Sequence, residues 1–301
     1  MNILIIGKHG MLARELQECF RASGYDVVCQ GRPEIDVCKP ETIRKVLLHD
    51  QPSVIINAAA YTAVDQAESE PDLAFAINRD GVKYLAENAQ PLGIPLIHIS
   101  TDYVFDGKSH RPYREEDPKS PIGVYGQSKW EGEEALRQCH PHHIILRTAW
   151  LYSIHGRNFL KTIVRKAKEG QDLRVVNDQH GCPTWAKDVA LALVVITEAI
   201  QAGHEVPWGT YHFCGAGVAT WYEFAHAIID QAQDLSPFKA GRIDPITTDE
   251  YPTSTKRPAY SVLDCSKIDQ AFAVKPPYWR DSMQQCLKEL FTCPDFLRAQ
   301  S

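Results

Sequence analysis

The amino-acid sequence predicts an α/β protein, a doubly wound parallel sheet with a smaller, loop-rich C-terminal region. Three observations predict it. Short apolar runs alternate with amphipathic stretches of helical length through residues 1–153, the pattern of stacked βαβ units. A glycine-bearing turn directly follows the first run, and after about Ser153 the alternation loosens into shorter segments separated by Gly and Pro.

"NILII" is the first strand, "GMLARELQECFRAS" a helix ended by Gly24, and "YDVVCQ" the second strand. A helix in "KPETIRKVLLHD", the strand "PSVIINAAA", one helix through "DLAFAINRDGVKYLAENAQPLG" (ragged at Pro91) and the strand "PLIHIS" come next. "GQSKWEGEEALRQC" reads as a helix and "HIILRTAWLY" as one strand. Beyond them "NFLKTIVRKAKEG" and "WAKDVALALVVITEAIQAG" are helical, "LRVVNDQ" and "GTYHFCG" are short strands, and "DPITTDEYPTSTKRPAYSVLD" drapes over a surface or a cleft. The expected division is a dinucleotide-binding domain over 1–153, also receiving 185–203, and a mainly substrate-binding domain over 154–301, because long loops beside such a sheet commonly make substrate contacts.

Composition narrows the function. A chain of 301 residues with 44% hydrophobic and 23% charged residues can bury a full core. Its net charge of −6 with no basic block argues against nucleic acid and leaves a small molecule as the default ligand. Nine scattered cysteines, none in C-x-x-C spacing, predict neither a disulfide framework nor a zinc site and fit a reducing cytoplasm. "MNILIIG" lacks the marks of a leader and no apolar run reaches a membrane span, so a soluble, unprocessed protein is expected. The "HPHH" at His140–His143 is expected to be a surface loop and not a metal site, since Pro141 forbids a helical i,i+4 histidine pair.

The first turn reads "GKHGMLA", with Gly7, Gly10 and then Ala13 in place of a third glycine. Small residues there let the backbone approach a pyrophosphate seated on the positive end of the next helix. A tight turn without a ligand would look the same in isolation; the bracketing strand and helix favour the phosphate site. At the end of the second strand, "CQGRPEID" offers no closing acid for a free ribose but does offer Arg32 for a 2′-phosphate, which favours NADPH with NADH still open. Arg32 as a solvated loop charge is the competing reading. Asp36 and Val37 could flank an adenine, and the small residues of "NAAAYT" would let a cofactor lie flat.

In "YGQSK", Tyr125 and Lys129 are i and i+4 and share one helix face. An ammonium beside a phenol lowers its pKa from near 10 and makes it a usable proton donor to a carbonyl. With 12 tyrosines a chance Y-x-x-x-K is unsurprising; position carries the argument. The strand "PLIHIS" delivers Ser100 and Thr101 to the carboxyl edge of the sheet, where such folds bind ligands and where a hydroxyl can share charge developing on the same oxygen.

Through "GKHGM", "NAAAYTAVDQAESEP", "STDYVFDG", "YGQSK", "RTAWLY", "VVNDQHGCPT" and "YPTSTKRPAYSVL", in that order, the chain resembles the extended short-chain dehydrogenase/reductases that modify nucleotide sugars. Within them it is similar above all to the dTDP-4-dehydrorhamnose reductase family, over nearly its whole length. The resemblance implies a Rossmann-like fold and a catalytic triad of Thr101, Tyr125 and Lys129. Implied cofactor contacts are Gly7, Gly10, Met11, Leu12, Asp36, Val37, Ala60, Tyr61, Thr62 and Ile99, together with Tyr125 and Lys129. Asp102 and Trp150 are implied at the sugar nucleotide. From its own loop, Arg257 is a candidate for a phosphate, with a solvated arginine as the equal competing reading. Met11 stands where glutamine is usual and Ala13 where glycine is usual.

The implied reaction is NADPH-dependent reduction of the 4-keto group of dTDP-4-dehydro-6-deoxy-L-mannose to dTDP-L-rhamnose. A reductase or epimerase of another 4-keto-6-deoxy sugar nucleotide is the alternative; so is a non-catalytic NADP-binding subunit, like the one regulating methionine adenosyltransferase. Some relatives bind magnesium through glutamates at a dimer interface. Glu15 and Glu289 match two of those positions, but Lys187 takes the third, so neither magnesium nor a magnesium-dependent dimer is expected; a homodimer as such stays open.

Overall fold

The computed structural model describes residues 1–203, 205–293 and 296. Its elements run β1 (Asn2–Ile6), α1 (Met11–Ala22), β2 (Asp26–Gln30), α2 (Pro40–Asp50), β3 (Val54–Asn57), α3 (Val64–Ala67), α4 (Pro71–Phe75), a π-helical turn (Ala76–Asp80), α5 (Gly81–Ala89), β4 (Leu96–Thr101) and α6 (Val124–Cys139). They continue with β5 (His143–Thr148), β6 (Leu151–Tyr152), α7 (Phe159–Lys168), β7 (Leu173–Val176), β8 (His180–Gly181), β9 (Thr184–Trp185), α8 (Ala186–Gln201), β10 (Gly209–His212), β11 (Ala219–Thr220), α9 (Trp221–Leu235), β12 (Ile243–Ile246), α10 (Ser266–Phe272) and α11 (Trp279–Thr292).

Six strands form one sheet in the order β10-β5-β4-β3-β1-β2, every pair parallel. Alternation along β1 builds both faces. Ile3 and Ile5 pack against α1, α8 and α10, while Leu4 and Ile6 pack against α2, α5 and the end of α6. Each such aliphatic side chain contributes about 1.5–3 kcal/mol by leaving water. Helix α1 supplies its share through Leu12, Leu16, Cys19 and Phe20, spaced to lie on one face. The order in which strands are added reverses between β1 and β3, and in open α/β sheets that is where the carboxyl ends of the strands leave a crevice.

A second core lies among α7, α9 and α11, with Phe224, Ile228, Trp279, Met283 and Leu287 fully or nearly fully buried in it. Two-residue ladders β6–β9 and β8–β11 and the parallel pair β7–β12 brace this part.

Four expectations are corrected. The single helix over 72–93 is α4, the π turn and α5 in sequence, closed by a 3₁₀ turn at Gln90–Leu92. The single strand over 143–152 breaks after Thr148, because Trp150 adopts φ 46. The short strand at 209–212 is the sixth strand of the main sheet, beside β5. The turn at 140–143 is only partly at the surface. His140 and His143 are buried, and each ring spends a nitrogen on a backbone carbonyl, of Ile94 and of His140.

Candidate active site

The glycine turn lies at the crevice. Gly7 has φ 114, and a Cβ there would come 2.9 Å from the carbonyl carbon of Ala58, just past β3, so only glycine lets the two strand ends close up. Gly10 caps α1 with no side-chain hydrogen bond to the helix, and no acid stands in the first turn. The amides opening α1 at Met11 and Leu12 therefore face the crevice with a positive dipole and no carboxylate to neutralise it. Ala13 is fully buried against the sheet, filling the contact a glycine would leave open. These features fit a dinucleotide pyrophosphate.

Arg32 is exposed just beyond β2. Asp36 caps the following turn, its carboxylate accepting from the Cys38 amide at 3.1 Å, and Val37 is buried against Gly81 at the start of α5. Ala60, Tyr61 and Thr62 follow β3. Their path is set by Asn78, whose side chain accepts from the Tyr61 amide at 2.9 Å and donates to the Tyr61 carbonyl at 3.1 Å. The Asn78 amide also donates to Ser128 on α6 at 3.0 Å, so the π turn clasps the segment after β3 to α6.

Thr101 ends β4. Its hydroxyl donates to Asp102 Oδ1 at 2.9 Å and accepts from the Tyr103 amide at 3.2 Å. Tyr125 lies in the first turn of α6, with its ring edge-on to Tyr103 at 5.5 Å between centroids. Burial pushes the Tyr125 phenol well above its ordinary value, and a hydrogen bond with Thr101 works in the opposite direction. Lys129 is 2% exposed, and burial lowers its ammonium to about 8, against the pull of Glu133. Its Nζ donates to the Ile99 carbonyl at 2.7 Å and stands 3.2 Å from His98 Nε2.

The expected lowering of the tyrosine by the lysine is therefore not what this arrangement produces. Desolvation dominates, and the phenol stays protonated, as a proton donor must be.

Asp102 is 3% exposed. Burial raises its carboxyl to about 6, while hydrogen bonds from Ser261 and Thr101 pull it down, and no donor reaches Oδ2 in good geometry. Arg257 is anchored, not solvated: it pairs with Asp65 at 2.6 Å and donates to the Tyr103 hydroxyl at 3.0 Å. Tyr103 and Arg257 line a cavity of about 420 Å³ that continues along Phe159, Val175, Trp221 and Tyr251.

Trp150 stacks on Trp221 with ring centroids 3.6 Å apart and planes 8° apart. Its indole lies over Gly181, where a Cβ would meet the ring at 2.4 Å. A larger cavity, about 910 Å³, lies elsewhere along Arg14, His155 and Lys161 and is lined by none of the triad.

Sequence reasoning missed Asn78, Asp65, Ser261 and Trp221. A signal existed for the last, since Thr220-x-x-Glu223 is a reciprocal capping box that makes Trp221 the first residue of α9. At the glutamate positions, Lys187 binds Glu289 at 2.7 Å and Glu15 accepts from Ser153 at 2.6 Å. Burial raises Glu15 to about 7. Its remaining acidic and imidazole neighbours are Glu18 and His155.

The protein-family model described as the RmlD substrate binding domain matches residues 1–292. A dTDP-4-dehydrorhamnose reductase from Sinorhizobium fredii is 42% identical over 286 residues, covering 95% of this chain and 96% of that protein. The crystal structure of a dTDP-4-dehydrorhamnose reductase from Clostridium acetobutylicum superposes with a TM-score of 0.89 at 35% identity, covering 97% of this chain and 100% of that one. The one from Bacillus anthracis, in complex with NADP, does so with 0.88 at 34% identity, covering 96% and 99%. Together with the edge formed by Thr101, Tyr125 and Lys129, these likenesses place the chain in the dTDP-4-dehydrorhamnose reductase family.

Proposed function

We propose that the protein reduces the 4-keto group of dTDP-4-dehydro-6-deoxy-L-mannose to give dTDP-L-rhamnose, with NADPH as reductant. The observation that carries this is the meeting of Thr101, Tyr125 and Lys129 at one strand edge, between the Gly7–Gly10 turn and the aromatic cavity. NADPH, when bound, supplies the hydride that goes to C4. Tyr125 gives its phenolic proton to the C4 oxygen, and the Thr101 hydroxyl shares the charge developing there. Lys129 holds nicotinamide ribose hydroxyls from the same helix face. Gly7, Gly10, Met11 and Leu12 seat the pyrophosphate, Ala60 to Thr62 and Ile99 line its path, and Asp36 and Val37 flank the adenine.

Arg32, exposed and placed past β2, is the group for a 2′-phosphate and makes NADPH the preferred form over NADH. Asp102, with an unmatched buried oxygen, takes a sugar hydroxyl; Trp150 packs on the sugar nucleotide, and Arg257 faces a phosphate from its anchor on Asp65. Residues 1–153 with 185–203 then carry the cofactor and 154–301 mainly the substrate, in line with the two cores. No helix among the described residues is long and apolar enough to cross a membrane, and all nine cysteines are free thiols, which supports a reducing cytoplasm. A homodimer, if formed, does not need magnesium, because Lys187 already neutralises Glu289.

The test follows NADPH absorbance with dTDP-glucose converted in situ by the preceding dehydratase, with and without the 3,5-epimerase. Oxidation that requires the epimerase is expected, faster with NADPH than with NADH. Tyr125→Phe should lower kcat by about 10²–10⁴-fold with unchanged NADPH binding. Turnover without net NADPH consumption would reassign the chain to an epimerase, and oxidation without the epimerase to another 4-keto sugar.

A further inference from the structure

Behind the triad, four groups form a chain whose hydrogens can be counted. The Ala59 amide donates to Asn57 Oδ1 at 3.1 Å, which fixes the orientation of that side-chain amide and turns its NH₂ toward His98. Asn57 Nδ2 stands 3.2 Å from His98 Nδ1. An amide nitrogen can only donate, so Nδ1 must accept, and a neutral imidazole then carries its proton on Nε2. That Nε2–H points at Lys129 Nζ, 3.2 Å away.

An ammonium has no lone pair to receive it. A neutral amine does, and its two hydrogens still serve the Ile99 carbonyl at 2.7 Å. All three side chains are buried, with Asn57 2%, His98 0% and Lys129 2% exposed, so a donor facing a donor is not relieved by water.

We infer that His98 is a positioning residue acting through Lys129: locked by Asn57 with its proton on Nε2, it donates to the neutral amine of Lys129 and disfavours the ammonium. The inference rests on the reading of Lys129 as the triad lysine. Burial alone moves Lys129 the same way and keeps His98 from protonating, its pKa lying well below the ordinary value.

The other charged groups facing the pair are few. Glu133, one turn along α6, favours the ammonium, yet its carboxylate is committed to Arg147, Arg137 and Ser100. His143, on β5, opposes positive charge on His98. Tyr125 is the remaining titratable group on the shared face.

Two measurements test this. Nitrogen-15 spectra of the ¹⁵N-histidine-labelled protein should show His98 neutral with the proton on Nε2 from pH 6 to 9. A proton on Nδ1 overturns the inference whatever the substrate is, so its failure is distinct from failure of the reductase assignment. The second is the pH profile of kcat/KM for His98→Gln, whose amide can rotate to offer its carbonyl to the ammonium. The alkaline limb set by Lys129 should move up by about one pH unit, retaining about tenfold more kcat/KM above the wild-type limb. A limb that does not move, with activity reduced equally at every pH, reduces His98 to a packing residue and sinks the proposal.

Discussion

As Glu15 does at its own buried position, Asp102 carries a desolvation cost at the heart of the site. Its buried carboxyl titrates at about 6, about two units above an unfolded aspartate, so between about pH 4 and 6 the folded chain binds more protons than the unfolded one. Stability from this group therefore falls as pH rises through that window, and the whole penalty is present at neutral pH. Asp102→Asn keeps an acceptor for Thr101 and removes the buried charge. At pH 7.5 it should be more stable to urea by on the order of 2–3 kcal/mol, with a raised KM for the sugar nucleotide. Below pH 4 the stability difference should vanish, and a gain that is the same at both pH values would refute the account.

At the scale of elements, the π turn shows where local reading of the sequence stops. Residues 72–93 look helical because their apolar positions recur at helical spacing, and they are helical in the broad sense. The widened turn at Ala76–Asp80 exists because Asn78 is drawn into tertiary hydrogen bonds with Tyr61 and Ser128, and a partner 17 or 50 residues away leaves no periodic trace. Asn78→Ala strands the Tyr61 amide and carbonyl, which should cost about 2–4 kcal/mol of stability and raise the KM for NADPH more than that for the sugar nucleotide. Equal effects on both would mean that the clasp serves only the fold. By contrast β1, α1 and the glycine turn were legible from sequence, since burial period, turn residues and helix start are all written within Asn2–Ala22. The placement of Tyr125 and Lys129 on one turn of one helix was legible for the same reason. Arg257 was not settled, because its anchors Asp65 and Tyr103 are remote in sequence.

Across the whole molecule, two apolar cores meet along a seam of polar contacts. Ser153 reaches Glu15 on α1, Lys187 reaches Glu289, and Ser282 reaches Asp188. The Lys187 ammonium supplies there the positive charge that a divalent ion would otherwise bring. Exhaustive treatment with EDTA should leave both the rate of NADPH oxidation and the sedimentation coefficient unchanged, and restoration of either by added magnesium would show that the carboxylates still gather a metal.

The indoles of Trp150 and Trp221 belong to different sides of that seam, one just past β5 and one opening α9. Face to face at 3.6 Å, their electronic transitions are close enough to couple, which endows the free protein with its own optical gauge. A nucleotide sugar that parts the two rings should abolish an exciton couplet in the ultraviolet circular dichroism, whereas NADPH alone should leave it in place. The order in which the two ligands load could then be followed without attaching a probe.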